Sequence, residues 1–151
     1  MQKQFETLIK SRQLTLKVIK GLTIEQLNKI PEGFKNNIAW NVAHLVVTQQ
    51  LLCYKLAGLD CLVSDKMIAN FQKGTSPTNT ISESEFETIK EQFLQLPNQL
   101  KEDYSNSLFK NYSAYKTSVD VTLNSIEDGV IFNLYHEGIH LGIMLQLLKF
   151  V

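Results

Sequence analysis

Residues 135–147 read Tyr135-His136-Glu137-Gly138-Ile139-His140-Leu141-Gly142-Ile143-Met144-Leu145-Gln146-Leu147. No proline interrupts the stretch, and its apolar residues recur at helical rather than alternating spacing. His136, His140, Ile143 and Leu147 follow one another at intervals of three or four, so they share one helix face. A face with two aliphatic side chains has to be buried against other elements. The segment therefore predicts a helical bundle. Its helix starts between Thr122 and Ser125, where Ser125 and Asp128 form a weak capping box, and continues to the C-terminus.

The rest of the chain supplies helices to pack against it. The first runs from about Gln2 to Lys20, with Phe5, Leu8, Ile9, Leu16 and Ile19 as its stripe and Gly21 just beyond its end. Thr23 and Gln26 form a capping box for a short helix that Pro31 closes. A second long helix starts at Asn36 or Asn37, both good N-caps, and runs to about Ala57, before Gly58. Ser64 caps a short helix through about Phe71, and Lys73 to Thr80 is the clearest loop. Ser82 with Glu85 is a further capping box, opening a helix toward Leu96. Pro97 either kinks that helix or begins a new turn that reaches about Tyr104. From Ser105 to Val121 the pattern is poor, with Val119-Asp120-Val121 as a possible short extended piece. The expectation is an all-α fold, a four-helix bundle with short extra helices in its connections, forming one domain over residues 1–151.

Composition narrows the function classes. The chain has 151 residues, 44% hydrophobic and 20% charged, which is enough apolar content for a core and excludes wholesale disorder. Fifteen basic residues balance fifteen acidic ones, and the sequence pI is about 6.8. That balance argues against a nucleic-acid surface. The N-terminal MQKQFETLIK lacks the apolar core of a secretory signal, and no apolar run reaches the 18 or so residues needed to span a bilayer. A soluble, cytoplasmic protein with no membrane partner is expected. Cys53 and Cys61 do not make a disulfide framework and read as small, reduced, largely buried residues.

The chemistry lies in the histidines. There are three, and all fall on core-facing stripes: His44 lines up with Trp40, Val47 and Leu51, and His136 and His140 with Ile143 and Leu147. A buried imidazole needs a hydrogen-bond partner or a ligand, or it costs one to a few kcal/mol. One such histidine is usually a satisfied core residue. Two at i and i+4 can chelate one ion from a single helix face, and a third on another core stripe favours a metal site. Three neutral imidazoles with open positions form the pattern of a catalytic rather than a closed structural centre.

The string His136-Glu137-Gly138-Ile139-His140 also fits the H-E-x-x-H pattern of zinc proteases, with Glu as general base. The match misleads. Only 11 residues follow His140, none of them His or Glu, and no sheet edge is available to hold a peptide. Glu137 lies about 100° round the helix from His136, and two readings of it stand side by side: a solvated surface carboxylate, or a base or histidine-supporting group. Trp40, Tyr54 and Tyr135 lie near the histidines on the same helices and can line a pocket, although core packing is the plainer explanation of each.

Together these motifs resemble the DinB-like superfamily, also described as DinB/YfiT-like metalloenzymes. Asn37-Ile-Ala-Trp40-Asn-Val-Ala-His44-Leu45 is similar to its second-helix motif, a Trp four residues before a His followed by an apolar residue. His136-Glu-Gly-Ile-His140-Leu-Gly142 is similar to its C-terminal motif, two His at i and i+4 followed by Leu-Gly. One departure is that Ala43-His44-Leu45-Val46 stands where a Gly-His-Leu-Gly-like stretch is usual. The resemblance covers the whole chain and implies an up-down-down-up bundle. It further implies a divalent metal on His44, His136 and His140, and a homodimer; the identity of the ion, Zn, Ni, Fe or Mn, is left open. Characterised relatives include metal-dependent transferases and isomerases that use a low-molecular-weight thiol.

Two functions follow as expectations. In the first, an ion on three neutral histidines activates a water or thiol near pH 7, giving a metal-dependent hydrolase or thiol S-transferase acting on a small molecule. In the second, the chain is a non-catalytic metal- or small-molecule-binding helical dimer. A bundle with three hydrogen-bonded histidines and no metal is the bland alternative to both.

Overall fold

Capping chemistry sets where the helices begin. The computed structural model describes residues 1–151. Helix α1, Gln2–Val18, is followed by a short α2, Ile24–Asn28, whose capping box Thr23 and Gln26 complete reciprocally. Asn37 accepts from the Trp40 backbone N–H and starts α3, Ile38–Cys53. A 3₁₀ turn at Lys55–Ala57 then ends at Gly58, whose φ of +74° is left-handed backbone that suits glycine. Ser64 caps α4, Asp65–Phe71, and the Ser82–Glu85 box opens α5, Glu83–Ser105. A two-residue hairpin, β1 Tyr115–Lys116 with β2 Thr122–Leu123, precedes α6, Ile126–Leu147, which Ser125 caps. Only β1 lies in the poorly patterned stretch, and Val119-Asp120-Val121, expected as a short extended piece, instead belongs to the turn that joins β1 to β2, with Asp120 at φ +64°.

The four long helices are α1, α3, α5 and α6, and α1 and α3 each pack on both α5 and α6. Residue pairs give the directions. Phe5 meets Tyr104 and Arg12 meets Phe93, so α1 and α5 are antiparallel. Gln49 meets Leu96 and Tyr54 meets Asp103, so α3 and α5 are parallel. Asn41 meets His140, His44 meets His136, and Gly129 meets Leu52, so α3 and α6 are antiparallel. The order is up-down-down-up, and α4 belongs to the long crossover that two parallel neighbours require. Apolar side chains form two clusters. One is built around Ile38, Val42, Leu45, Phe93 and Met144, and the other around Phe5, Leu8, Leu100 and Val130.

Pro97 neither breaks nor ends its helix; α5 runs through it. A proline at this position has no N–H for the carbonyl of Phe93, four residues earlier. Arg12 supplies the missing donor. Its Nη1 lies 3.0 Å from the Phe93 oxygen, Nη2 lies 3.1 Å from the Leu45 oxygen on α3, and Nε and Nη2 hold Glu137 Oε1 at 2.9 and 2.6 Å. Both partners are removed from water, at 0% and 3% side-chain exposure. One guanidinium therefore ties α1 to the other three long helices.

Candidate metal centre

Three imidazoles converge between α3 and α6, one from α3 and two, about one turn apart, from α6. One ligating nitrogen from each lies within 4.8 Å of the other two. His44 Nε2 and His136 Nε2 are 3.3 Å apart. Two nitrogens each 2.0–2.1 Å from one tetrahedral ion would be separated by about 3.3 Å, so this spacing fits a shared metal.

Hydrogen bonds select the tautomers that such a site needs. His44 Nδ1 is 2.6 Å from the Phe71 carbonyl, which can only accept, so Nδ1 carries the proton and Nε2 a lone pair. His140 Nδ1 is 2.7 Å from Asn41 Oδ1. The Asn41 amide nitrogen already donates to Asn36 Oδ1 and the Asn37 carbonyl, so its oxygen faces the ring and His140 also donates from Nδ1. Two of the three rings are thereby held with Nε2 free to ligate. His136 Nδ1 is buried without a partner. Its Nε2 can donate to His44 in a metal-free core, or share an ion with it.

Burial sets the charge state. His136 is lowered to about 4 by burial and then by His44. His140 falls to about 3 through burial, then through His136 and His44. Burial also lowers His44, against the hydrogen bond to Phe71. All three are neutral at pH 7, the form that binds metal.

The other expected site residues scatter. Trp40 stacks on His44 at 4.6 Å between centroids and 10° between planes. It also lines a cleft of about 320 Å³ with Phe71, Thr88 and Gln92, and none of the three histidines lines that cleft. Tyr54 is not part of the site. It follows His44 by ten residues, about 15 Å along a helix, and its hydroxyl donates to Asp103 at 2.6 Å. Tyr135 is also apart from it, 52% exposed and packed on Phe132. Glu137 fits neither of its two readings. It is buried on the face toward α1, bound by Arg12 and Asn133, and hydrogen-bonds to no histidine. Burial pushes its carboxyl up while the guanidinium pulls it down. It is not placed to act as the base of a zinc protease. Burial disfavours both thiolates, pushing Cys53 up to about 12 and raising Cys61.

A sequence model of the DinB superfamily matches residues 7–144, nearly the whole chain. The chain belongs to the DinB superfamily. No curated protein matches it. In this DinB chain, the helical bundle and the histidine cluster fit a metal-binding helical protein. Sequence reasoning missed three of the groups that build the centre, and Arg12, whose clamp lies apart from the imidazoles. Asn41 and Thr48, whose hydroxyl is 3.3 Å from His44 Nε2, lie at i−3 and i+4 from His44 and form a polar line on an apolar helix, a readable signal. Arg12 is the only arginine in the chain and interrupts the apolar stripe of α1, which is a signal as well. The Phe71 carbonyl had none, because a backbone oxygen carries no residue identity.

Proposed function

We propose that this DinB-superfamily protein is a metal-dependent enzyme that uses His44, His136 and His140 to hold one divalent ion for hydrolysis or thiol transfer on a small molecule. The observation that carries the proposal is the convergence of three neutral imidazoles with no Cys, Asp or Glu completing a fourth protein ligand. A closed structural site would supply that fourth ligand, so the open set favours the catalytic over the purely structural reading. When bound, the ion supplies Lewis acidity that makes water or a low-molecular-weight thiol nucleophilic near neutral pH.

The chain's own groups do the positioning. Phe71 and Asn41 fix two ring orientations, Trp40 backs His44, and the Thr48 hydroxyl stands beside the open side of His44 as a hydrogen-bond donor. Whether the nucleophile is water or a thiol, and which of Zn, Ni, Fe or Mn is used, belong to the test. Protein purified without a histidine tag should carry or take up about one divalent ion per chain by elemental analysis, and His44→Ala and His136→Ala should each reduce that sharply. Turnover in a panel of hydrolase substrates and of thiols with electrophiles should disappear in His140→Ala. A wild type that binds none of Zn²⁺, Ni²⁺ and Mn²⁺ overturns the proposal. A metal-loaded protein inactive across both panels leaves a binding module instead.

A further inference from the structure

A buried polar atom that no other part of the chain satisfies is costly, and in a folded protein it calls for a reason. Six side chains carry such an atom: Trp40, Gln49, Gln50, Gln92, Asn133 and His136. His136 belongs to the metal centre. Trp40 and Gln92 stand out among the rest because both line one cleft, the space of about 320 Å³ among α3, α4, α5 and residues 76–81. Trp40 is 5% exposed, its ring lies flat on the His44 imidazole, and its backbone N–H is taken by Asn37. The indole is thereby held in place while Nε1–H is left for whatever enters the cleft. Gln92 contributes the opposite polarity from α5, an acceptor oxygen that is also buried and unpaired. A donor and an acceptor fixed on two packed helices, with no protein partner for either, form a site prepared for a ligand.

The lining says what kind of ligand. Met67, Phe71 and Ile89 give the cleft apolar walls beside the indole, and most of its other residues bear hydroxyls or amides. Its charged residues are Lys66 and Glu85, of opposite sign, and the Glu85 carboxylate already accepts the Ser82 backbone N–H and hydroxyl at 2.8 and 2.7 Å. No net charge is offered, so a neutral molecule fits better than an ion. The volume lies at the small end of ligand pockets, which run from about 300 to 1,000 Å³. A carboxamide matches both orphaned atoms, because it holds a carbonyl acceptor and an N–H donor in one rigid plane.

We infer that this cleft is a second binding site, separate from the imidazoles, for a small neutral molecule bearing a carboxamide on an apolar body. Trp40 Nε1 donates to its carbonyl, and Gln92 Oε1 accepts from its N–H. Trp40 is the one tryptophan of the chain, so a single indole N–H resonance reports on the site. Titrating the chelated, isotope-labelled protein with benzamide to about 20 mM should move that resonance downfield along a saturable curve, with the millimolar Kd open to so small a molecule. With the metal chelated, the result is indifferent to whether the imidazoles hold an ion. N,N-dimethylbenzamide, which has no N–H, should bind about three- to tenfold more weakly, and Gln92→Leu should weaken benzamide to the same extent. Thr88→Phe fills the cleft from an exposed position and should abolish the shift with unchanged helical circular dichroism. No saturable shift in the wild type means a cleft that holds only solvent and overturns the inference. Equal affinity for the two amides overturns it as well, as does benzamide binding that survives Thr88→Phe. Benzoate binding more tightly than benzamide would overturn it in favour of an anionic ligand.

Discussion

His140 donates from Nδ1 to Asn41 Oδ1, and that hydrogen bond, rather than the ring's place on α6, decides which nitrogen faces His44 and His136. Removing the acceptor frees the ring to rotate and to exchange tautomers. Asn41→Leu is therefore expected to weaken Zn²⁺ binding roughly 10- to 100-fold in a chelator-competition titration, the usual range for loss of a group that orients a ligand. An unchanged affinity would show that packing alone holds the ring. The same three rings impose a pH dependence on the metal-free protein. Their folded values lie below the ordinary 6.5, at about 4 for His136 and about 3 for His140, so between roughly pH 6.5 and 3 the unfolded chain binds more protons than the folded one. Stability from this source is present above pH 6.5 and is lost as the pH falls through the folded values. Urea midpoints of chelated wild type should fall from pH 7 to pH 4.5 more steeply than those of His140→Gln. Equal slopes would mean that carboxylates alone govern the acid limb.

Among the elements, α5 and α6 each tolerate a feature that sequence rules disfavour, and each does so because a neighbouring element compensates. In α5 the compensation is Arg12 on the carbonyl that Pro97 leaves without a donor. Arg12→Met removes that donor and also strands the buried Glu137 carboxyl, so unfolding free energy should fall by about 3–5 kcal/mol. Pro97→Ala restores the backbone donor. It should recover more stability in the Arg12→Met background than in wild type, with a coupling of about 0.5–3 kcal/mol in a denaturation double-mutant cycle. Strict additivity would deny the link between the two. In α6 the feature is Gly129, where a Cβ would stand 2.7 Å from the Tyr112 hydroxyl and 3.1 Å from the Leu52 carbonyl that this hydroxyl bonds. Gly129→Ala should cost about 1–3 kcal/mol by forcing α6 from α3, despite alanine's better helix propensity. These neighbours explain why Pro97 was open in the sequence: a missing N–H is visible there, but the guanidinium that replaces it comes from 85 residues away.

For the whole molecule, what could be read beforehand was what repeats at helical period or depends on a cap: the long helices, the boxes at Thr23 and Ser82, and the three core-facing histidines. What could not be read was rotation between neighbours. Tyr135 is adjacent to His136 in sequence yet turns outward, and Glu137 turns toward α1, because successive helical residues point about 100° apart. The histidines escaped this ambiguity because each shares a stripe with aliphatic residues whose burial was not in doubt. Their placement also couples metal to global stability. His44 is on α3 and His136 and His140 are on α6, so an ion held by all three would bridge two antiparallel helices in the folded state only. A ligand of the folded state alone stabilises by about 2.7 kcal/mol at one hundred times its Kd, or roughly 5–10 °C in Tm for a chain of this size. Differential scanning fluorimetry should show that rise on adding Zn²⁺ to chelated wild type and none in His44→Ala. The chelated protein should stay helical, since its two apolar clusters and the Arg12 clamp do not involve the imidazoles. Loss of helical structure on chelation would make the ion a folding requirement, and an equal shift in His44→Ala would place the binding elsewhere.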